Sequence, residues 1–300
     1  MTSIARLESS NATALPRLTQ AALPLTREVL VLDEFGQRRP IHIPAERPLT
    51  LYVDKREVVT LMTLGAAPEL LALGYLRNQQ LVGSLDEIDS VTVDWDVSAA
   101  AVATRSGAGD QVHERTARRI VTTGCGQGTM FGGLMDQIDA VQLPPPERAR
   151  IRQSMLPALN EAMRSTDSVH RKAGSVHGCA LFRGTEMLTF VEDVGRHNAI
   201  DTIAGWMWMH GEGPLGQGGD KIFYTTGRLT SEMVTKAAQL GVPIVISRNG
   251  VTQMGWELAS RLGMTLIGRA SQRHFLCYCG FERFDAEPEP ERPVRVVSAS

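Results

Sequence analysis

The chain has 300 residues, of which 43% are hydrophobic and 21% are charged, a composition typical of a folded protein with about two domains. Its 31 Lys and Arg residues nearly balance 33 Asp and Glu residues, so a net charge of -2 offers no general basic field for nucleic acid or an anionic membrane. We find no apolar run near the roughly 20 residues of a membrane helix and no signal-peptide core, and we expect a cytoplasmic protein.

The first half of the sequence predicts an N-terminal arm followed by a small α+β domain. Residues 1–45 are interrupted by prolines and are assigned to an arm with room for one edge strand. Apolar spacing then predicts a hairpin from strands at 49–54 and 58–62, a helix over 67–78 and a strand over 90–97. A strand at 119–122 leads into a glycine-rich loop over 124–133. We place this domain at 46–143.

The second half predicts a larger α/β domain over 144–285, followed by a tail at 286–300. Three consecutive prolines lead into a predicted helix over 147–163. A hairpin is predicted from 179–182 and 187–191, and a helix from about 197 to 210. Strands at 221–224, 243–247 and 265–267 alternate with helices at 231–240 and 253–262, which indicates parallel strands with helical crossovers. The predicted result is a mixed sheet layered by helices.

Three segments that follow the predicted parallel strands share a composition suited to anions. They cover 225–231, 247–252 and 268–274, and each contains an arginine, a small backbone position and a hydroxyl. Ligands of open parallel sheets bind at the carboxyl ends of the strands, where guanidinium and hydroxyl groups hold phosphate. The alternative is that the hydroxyls cap helices and the arginines are solvated. The candidate residues are Arg228, Arg248, Arg269, Ala270, Ser271, Gln272, Arg273 and His274.

The four cysteines are too few for a disulfide framework and lack the spacing of a zinc site, so we expect thiol chemistry and no metal. Cys125 lies between Gly124 and Gly126, where exposed backbone N–H groups would favour the thiolate that attacks or carries a persulfide. The alternative is a buried structural cysteine. We predict that alternative for Cys179, which lies in an apolar strand.

A dense polar segment follows the second predicted hairpin. Residues 192–199 place two carboxylates, a guanidinium, an imidazole and an amide at a strand-to-helix turn. We predict that Glu192 and Asp193 hold Arg196 and His197 in a charge-assisted network facing a cleft. The alternative is helix capping with solvated side chains.

The chain resembles the formate dehydrogenase accessory sulfurtransferase family, FdhD/NarQ, from about residue 48 to 284. The similar segments are 48–53, 69–76, the Gly124–Cys125–Gly126 loop, 192–199 with Asp201, Gly227–Arg228 with 231–234, 236–238, and 265–268. Cys125 matches the first cysteine of the family's Cys-Gly-x-Cys loop, whereas Gly128 stands where the second cysteine usually lies. The family's nucleotide-cofactor segment corresponds to Arg269–His274.

This resemblance implies a cytidine-deaminase-like layered α/β core without the deaminase zinc, and a homodimer. It implies that sulfur passes from a cysteine desulfurase to Cys125 and then to the bis(molybdopterin guanine dinucleotide) molybdenum cofactor destined for apo-formate dehydrogenase. We expect Arg196, His197 and the three arginine segments to bind the cofactor, with guanosine diphosphate as a fragment analogue. Because Gly128 leaves one loop cysteine, a non-enzymatic chaperone that binds and inserts the cofactor is the alternative.

A deaminase or a nucleotide-hydrolysing enzyme is disfavoured. The sequence contains neither the zinc motif of the nucleobase deaminases nor a P-loop string.

Overall fold

A computed structural model describes residues 15–105, 119–122, 128–131, 141–211 and 220–287. In the order of the chain, its strands are β1 (Arg17–Leu18), β2 (Thr26–Leu32), β3 (Arg38–Pro44), β4 (Arg47–Val53), β5 (Arg56–Thr63), β6 (Ile88–Asp94), β7 (Ala99–Thr104), β8 (Arg119–Thr122), β9 (Gly128–Phe131), β10 (Ile151–Arg152), β11 (His177–Arg183), β12 (Glu186–Asp193), β13 (Lys221–Thr225), β14 (Ile244–Ser247), β15 (Thr265–Ser271), β16 (His274–Cys279) and β17 (Phe284–Asp285). Its α-helices are α1 (Pro68–Asn78), α2 (Met155–Ser165), α3 (Val169–Ala173), α4 (Arg196–Met209), α5 (Ser231–Gln239) and α6 (Gln253–Arg261).

The chain divides into two compact units. The first comprises Met1–Leu134 together with Asp193–Glu212, and the second comprises Met135–Glu192 together with Gly213–Ser300. The domain boundary predicted at 143/144 assigns α4 to the C-terminal domain. In the structure, the contacts of α4 group this helix with the first unit. None of the described helices has the length and hydrophobicity that a membrane crossing requires.

In the first unit, a five-stranded sheet has the order β1-β6-β7-β4-β5. The predicted β4–β5 hairpin is confirmed, with Leu49 opposite Leu61, and alternate side chains are buried along β4. The strand predicted at 90–97 is β6, which begins at Ile88 and ends at Asp94. It ends before Val97 because that residue lies exposed in a turn. The predicted N-terminal arm contains more strand than expected, since β2 and β3 form a separate antiparallel hairpin and β1 pairs with β6.

Two glycines let α1 and α4 approach each other closely in this unit. A Cβ atom on Gly74 would lie 1.6 Å from the carbonyl oxygen of Asp201, and one on Gly205 would lie 2.0 Å from that of Leu70. Asn78 donates to the Asp201 carboxylate at 2.7 Å near the same crossing. Only glycine fits at both positions, because the obstructing atoms are backbone rather than flexible side chains.

In the second unit, a six-stranded mixed sheet has the order β12-β11-β13-β14-β15-β16. The predicted parallel core is confirmed, since β13, β14 and β15 run parallel, while β11 and β16 join them antiparallel. One face of the sheet buries Phe182, Ile222 and Ile246 beneath Leu156 and Leu159 of α2. The strand-and-helix alternation in the sequence therefore predicted the central sheet and its crossovers correctly.

Two predicted elements of the second unit were wrong. The helix expected from residue 147 begins at Met155, because Ile151 is fully buried and lies in β10, which pairs with β17. The strand predicted at 265–267 continues to Ser271, so the segment Arg269–His274 is not a loop that follows the strand. It forms the end of β15 and a tight turn into β16, with Ser271 paired to His274.

Candidate functional site

The three arginine segments meet at one edge of the second unit's sheet, where backbone hydrogen bonds join them. The Arg248 amide donates to the Thr225 carbonyl at 3.2 Å, and the Leu229 amide donates to the Gly250 carbonyl at 3.0 Å. The Arg269 amide donates to the Asn249 carbonyl at 2.8 Å. These bonds connect the first segment to the second and the second to the third, as expected for the carboxyl ends of neighbouring parallel strands.

Side-chain bonds hold the same segments in defined conformations. The Asn249 side chain donates to the Thr226 carbonyl at 2.8 Å, and the Gly227 amide donates to the Thr225 hydroxyl at 3.1 Å. Thr252 caps α6 by accepting from the Gly255 amide at 3.2 Å. At Thr252 the structure therefore agrees with the alternative considered for these hydroxyls, that they cap helices.

A pocket of about 460 Å³ lies between this edge and helix α2. This volume is within the usual range of small-molecule sites. The pocket is lined by Pro157, Asn160, Glu161, Arg164, Tyr224, Arg248, Ala270, Ser271, Gln272 and Arg273.

The pocket contains five of the predicted cofactor-binding residues and omits others. Arg228, Arg269 and His274 are not among the described residues that line it, although they belong to the connected segments. The charged residues that line the pocket are three arginines, Arg164, Arg248 and Arg273, and one carboxylate, Glu161. Glu161 forms an ion pair with Arg164. The local excess of positive charge suits a phosphate-bearing ligand.

The contribution of helix α2 to the pocket was missed by the sequence analysis. The sequence carried an indirect signal, since α2 is amphipathic, with Leu159 and Met163 buried and Asn160, Glu161 and Arg164 more exposed. Nothing in that pattern links α2 to the turn at Gln272, which lies 112 residues from Asn160 in the chain.

The polar segment at 192–199 is divided between the two units. Glu192 accepts from the Ser168 hydroxyl at 2.8 Å and from the backbone amides of Val169 and His170 at 2.6 and 3.2 Å, so it caps α3 in the second unit. A carboxylate at a helix N-terminus satisfies free N–H groups and interacts favourably with the helix dipole.

Asp193 instead organises the first unit. It accepts from the Thr63 hydroxyl at 2.5 Å, from the Asn198 amide at 2.9 Å, and from the backbone amides of Leu64 and Gly195 at 3.2 Å. Burial raises the pKa of the Asp193 carboxyl, while these hydrogen bonds act in the opposite direction. The described bonds of both carboxylates serve helix capping and loop closure. The alternative of helix capping with solvated side chains is therefore right about the capping and wrong about the solvation, because Glu192 and Asp193 are buried.

Arg196 and His197 are almost completely buried in the first turn of α4. They belong to the first unit, whereas the pocket and the three arginine segments belong to the second. Their proposed contact with the cofactor stays a prediction.

Cys125 lies outside the described residues. The strands on either side of it are described: β8 pairs antiparallel with β9, and Thr122 is opposite Gly128. Four residues of the predicted glycine-rich loop, Gly128–Phe131, therefore belong to a strand. The position of the family's second loop cysteine is thus the first residue of β9.

The three described cysteines are poor candidates for sulfur transfer. Cys179 is fully buried and donates to the Thr225 hydroxyl at 3.2 Å, which confirms its predicted structural role. Burial raises the pKa of the Cys277 thiol to about 11 and also raises the pKa of Cys279. Neither thiol has the low pKa and accessibility that reactive cysteines share.

Comparison with known proteins agrees with the sequence resemblance. A model of the FdhD/NarQ family matches residues 44–285. The sulfur carrier protein FdhD of Bacillus licheniformis is 31% identical over 244 residues, covering 79% of this chain and 88% of that protein. The protein of the same name from Listeria monocytogenes is 28% identical over 241 residues, covering 80% and 90%.

The fold also has a solved counterpart. A crystal structure of a proposed formate dehydrogenase accessory protein from Desulfotalea psychrophila matches 87% of this chain and 100% of its own, with a TM-score of 0.67 and 24% identity. At this identity the likeness concerns the fold alone.

Proposed function

Because the chain belongs to the FdhD/NarQ family, we propose that it serves formate dehydrogenase maturation as a sulfur carrier, with Cys125 as the carrying residue. The first step is loading: the Cys125 thiolate attacks the terminal sulfur of a persulfide on a cysteine desulfurase. The sulfur–sulfur bond of the donor breaks, the donor cysteine leaves as a thiolate, and a persulfide remains on Cys125. In the second step the sulfur–sulfur bond of the Cys125 persulfide breaks, Cys125 leaves as a thiolate, and the outer sulfur binds the molybdenum of the cargo as a sulfido ligand. The two electrons that this requires come from the molybdenum, which is oxidised from Mo(IV) to Mo(VI).

The cargo proposed for the pocket is the bis(molybdopterin guanine dinucleotide) cofactor, held by one of its nucleotide ends. The observation that carries this proposal is the convergence of Arg164, Arg248 and Arg273 on a pocket of about 460 Å³. Guanidinium groups form paired, charge-assisted hydrogen bonds with phosphate oxygens, and the pocket volume suits a nucleotide fragment. Guanosine diphosphate is the simplest probe of this site.

A cofactor-binding chaperone is the second candidate function. Gly128, at the start of β9, occupies the place of the family's second loop cysteine, so a relay between two loop thiols cannot operate in this chain. A chaperone would use the arginine pocket to hold and insert the cofactor without needing the thiol of Cys125. Both candidates require the pocket, and only the sulfur carrier requires Cys125.

The family membership supports three further proposals about the assembly. A cysteine desulfurase supplies the sulfur, the apo-formate dehydrogenase catalytic subunit receives the cofactor, and the chain acts as a homodimer. A cytidine-deaminase-like layering of the second unit's mixed sheet is proposed on the same basis.

Complementation of a strain that lacks its own accessory protein tests the function. Cys125→Ala should abolish formate dehydrogenase activity, while Cys277→Ala, which removes a thiol kept protonated by burial, should restore it fully. The cofactor content of the purified dehydrogenase should be measured for each variant. Normal activity with Cys125→Ala would overturn the sulfur-carrier proposal and favour the chaperone.

A further inference from the structure

The turn that carries Arg273 into the pocket has a strained backbone. Ser271 pairs with His274, which leaves Gln272 and Arg273 as the two residues of the turn between β15 and β16. Gln272 has a φ of 51°, in the left-handed region that glycine tolerates best. The pairing of the two strands is also shifted between Gly268 and Ser271. A turn of this kind needs contacts from outside to hold one conformation.

Asn160 supplies such a contact from helix α2. Its side-chain nitrogen donates to the Gln272 carbonyl at 3.2 Å, and its side-chain oxygen accepts from the Tyr224 hydroxyl at 2.6 Å. Tyr224 lies on the central strand β13 and is 1% exposed. The two bonds thus connect the buried sheet, through α2, to the exposed turn.

The direction of these bonds is determined by the chemistry of their ends. The Gln272 carbonyl can only accept, so the nitrogen of the Asn160 amide must face it and the oxygen must face Tyr224. Burial raises the pKa of Tyr224 well above its usual range, which keeps its hydroxyl protonated as a donor. The Asn160 amide and the Tyr224 hydroxyl therefore each have the one orientation in which a donor meets an acceptor.

We infer that Asn160 and Tyr224 are positioning residues, which hold the Gln272–Arg273 turn so that Arg273 remains directed to the anion in the pocket. This inference rests on the proposed function for the identity of that anion, the diphosphate of the guanine nucleotide. Although Tyr224 and Asn160 also line the pocket, we assign them no contact with the phosphates. Their effect passes through the turn.

Calorimetric titration of the full chain with guanosine diphosphate tests the inference. Asn160→Leu removes both hydrogen bonds and Tyr224→Phe removes one, and each change breaks the connection to the turn, so each should weaken binding about three- to tenfold. The double variant should bind the nucleotide no more weakly than the weaker-binding single variant, because both changes break the same hydrogen-bonded connection from Tyr224 through Asn160 to Gln272. Tyr52→Phe is the matched control, since it removes an exposed tyrosine hydroxyl of the first unit and should leave binding unchanged.

Amide hydrogen exchange provides a second readout that does not depend on the nucleotide. In the free protein, exchange at Ser271–His274 should be faster in Asn160→Leu and Tyr224→Phe than in the wild type and Tyr52→Phe, while exchange within β13 and β14 stays the same. Unchanged exchange at the turn would overturn the inference, as would wild-type affinity or fully additive losses in the titration. Absence of nucleotide binding by the wild type, with faster exchange in the variants, would instead contradict the proposed nucleotide site.

Discussion

Arginine side chains of the second unit differ in their relation to the pocket. All three arginines are exposed, but Arg248 and Arg273 line the pocket, whereas Arg228 is not one of its described lining residues. This difference separates arginines that we expect to hold phosphate from those that are solvated. The composition of the three segments could not make the distinction, because all three contain an arginine and a hydroxyl residue.

We predict that Arg248→Ala and Arg273→Ala each weaken guanosine diphosphate binding by about tenfold, the loss of one charge-assisted contact to phosphate. Arg228→Ala is the matched control and should change the dissociation constant by less than about twofold, as expected for a solvated arginine. Isothermal titration of the three variants measures the difference. Equal affinity in all three would show that the pocket arginines make no contact with the nucleotide.

The described thiols should respond to pH in a way that excludes them from sulfur carriage. Because the pKa of Cys277 is raised to about 11, little thiolate is present at pH 7.5. As the pH rises toward the pKa, the thiolate fraction increases about tenfold for each pH unit. Iodoacetamide labelling of Cys277, followed by mass spectrometry between pH 7.5 and 9.5, should therefore accelerate about a hundredfold. A rate that is flat across this range would show that the thiol is already ionised.

At the level of secondary-structure elements, hydrophobic periodicity predicted most of the second unit. The apolar strands β13 and β14 and the amphipathic helices α5 and α6 lie close to their expected limits. Pairing between strands determines both misplaced parts. The end of β15 continues because it turns directly into β16, whereas β10 forms because the distant strand β17 pairs with it. A local pattern carries no information about a partner more than 100 residues away.

The crossing of α1 and α4 gives a prediction about stability. Gly74→Ala or Gly205→Ala places a Cβ atom within about 2 Å of a backbone carbonyl oxygen, so the helices must separate. Each change should lower the free energy of unfolding by about 3 kcal/mol or more, measured by urea denaturation. Gly250→Ala is the control, since its Cβ would meet nothing within 4 Å. Wild-type stability in Gly74→Ala would show that the two helices pack differently.

For the whole molecule, we propose that cargo binding and sulfur carriage belong to different residues. The pocket residues belong to the second unit, while Cys125 belongs to the stretch Met1–Leu134 that is grouped with the first. The assignment of α4 to the first unit could not be read from the sequence, because the glycines that allow it to pack on α1 lie about 130 residues apart. The predicted parallel sheet, by contrast, followed from local alternation alone.

Sulfur carriage by Cys125 is tested by mapping the persulfide after incubation of the protein with a cysteine desulfurase and cysteine. We predict an added mass of about 32 Da, one sulfur atom, on the peptide that contains Cys125, in the wild type and equally in Arg248→Ala and Arg273→Ala. Cys125→Ser should carry no adduct and should bind guanosine diphosphate normally. An adduct of equal yield on Cys277 or Cys279, or none on Cys125, would contradict the account.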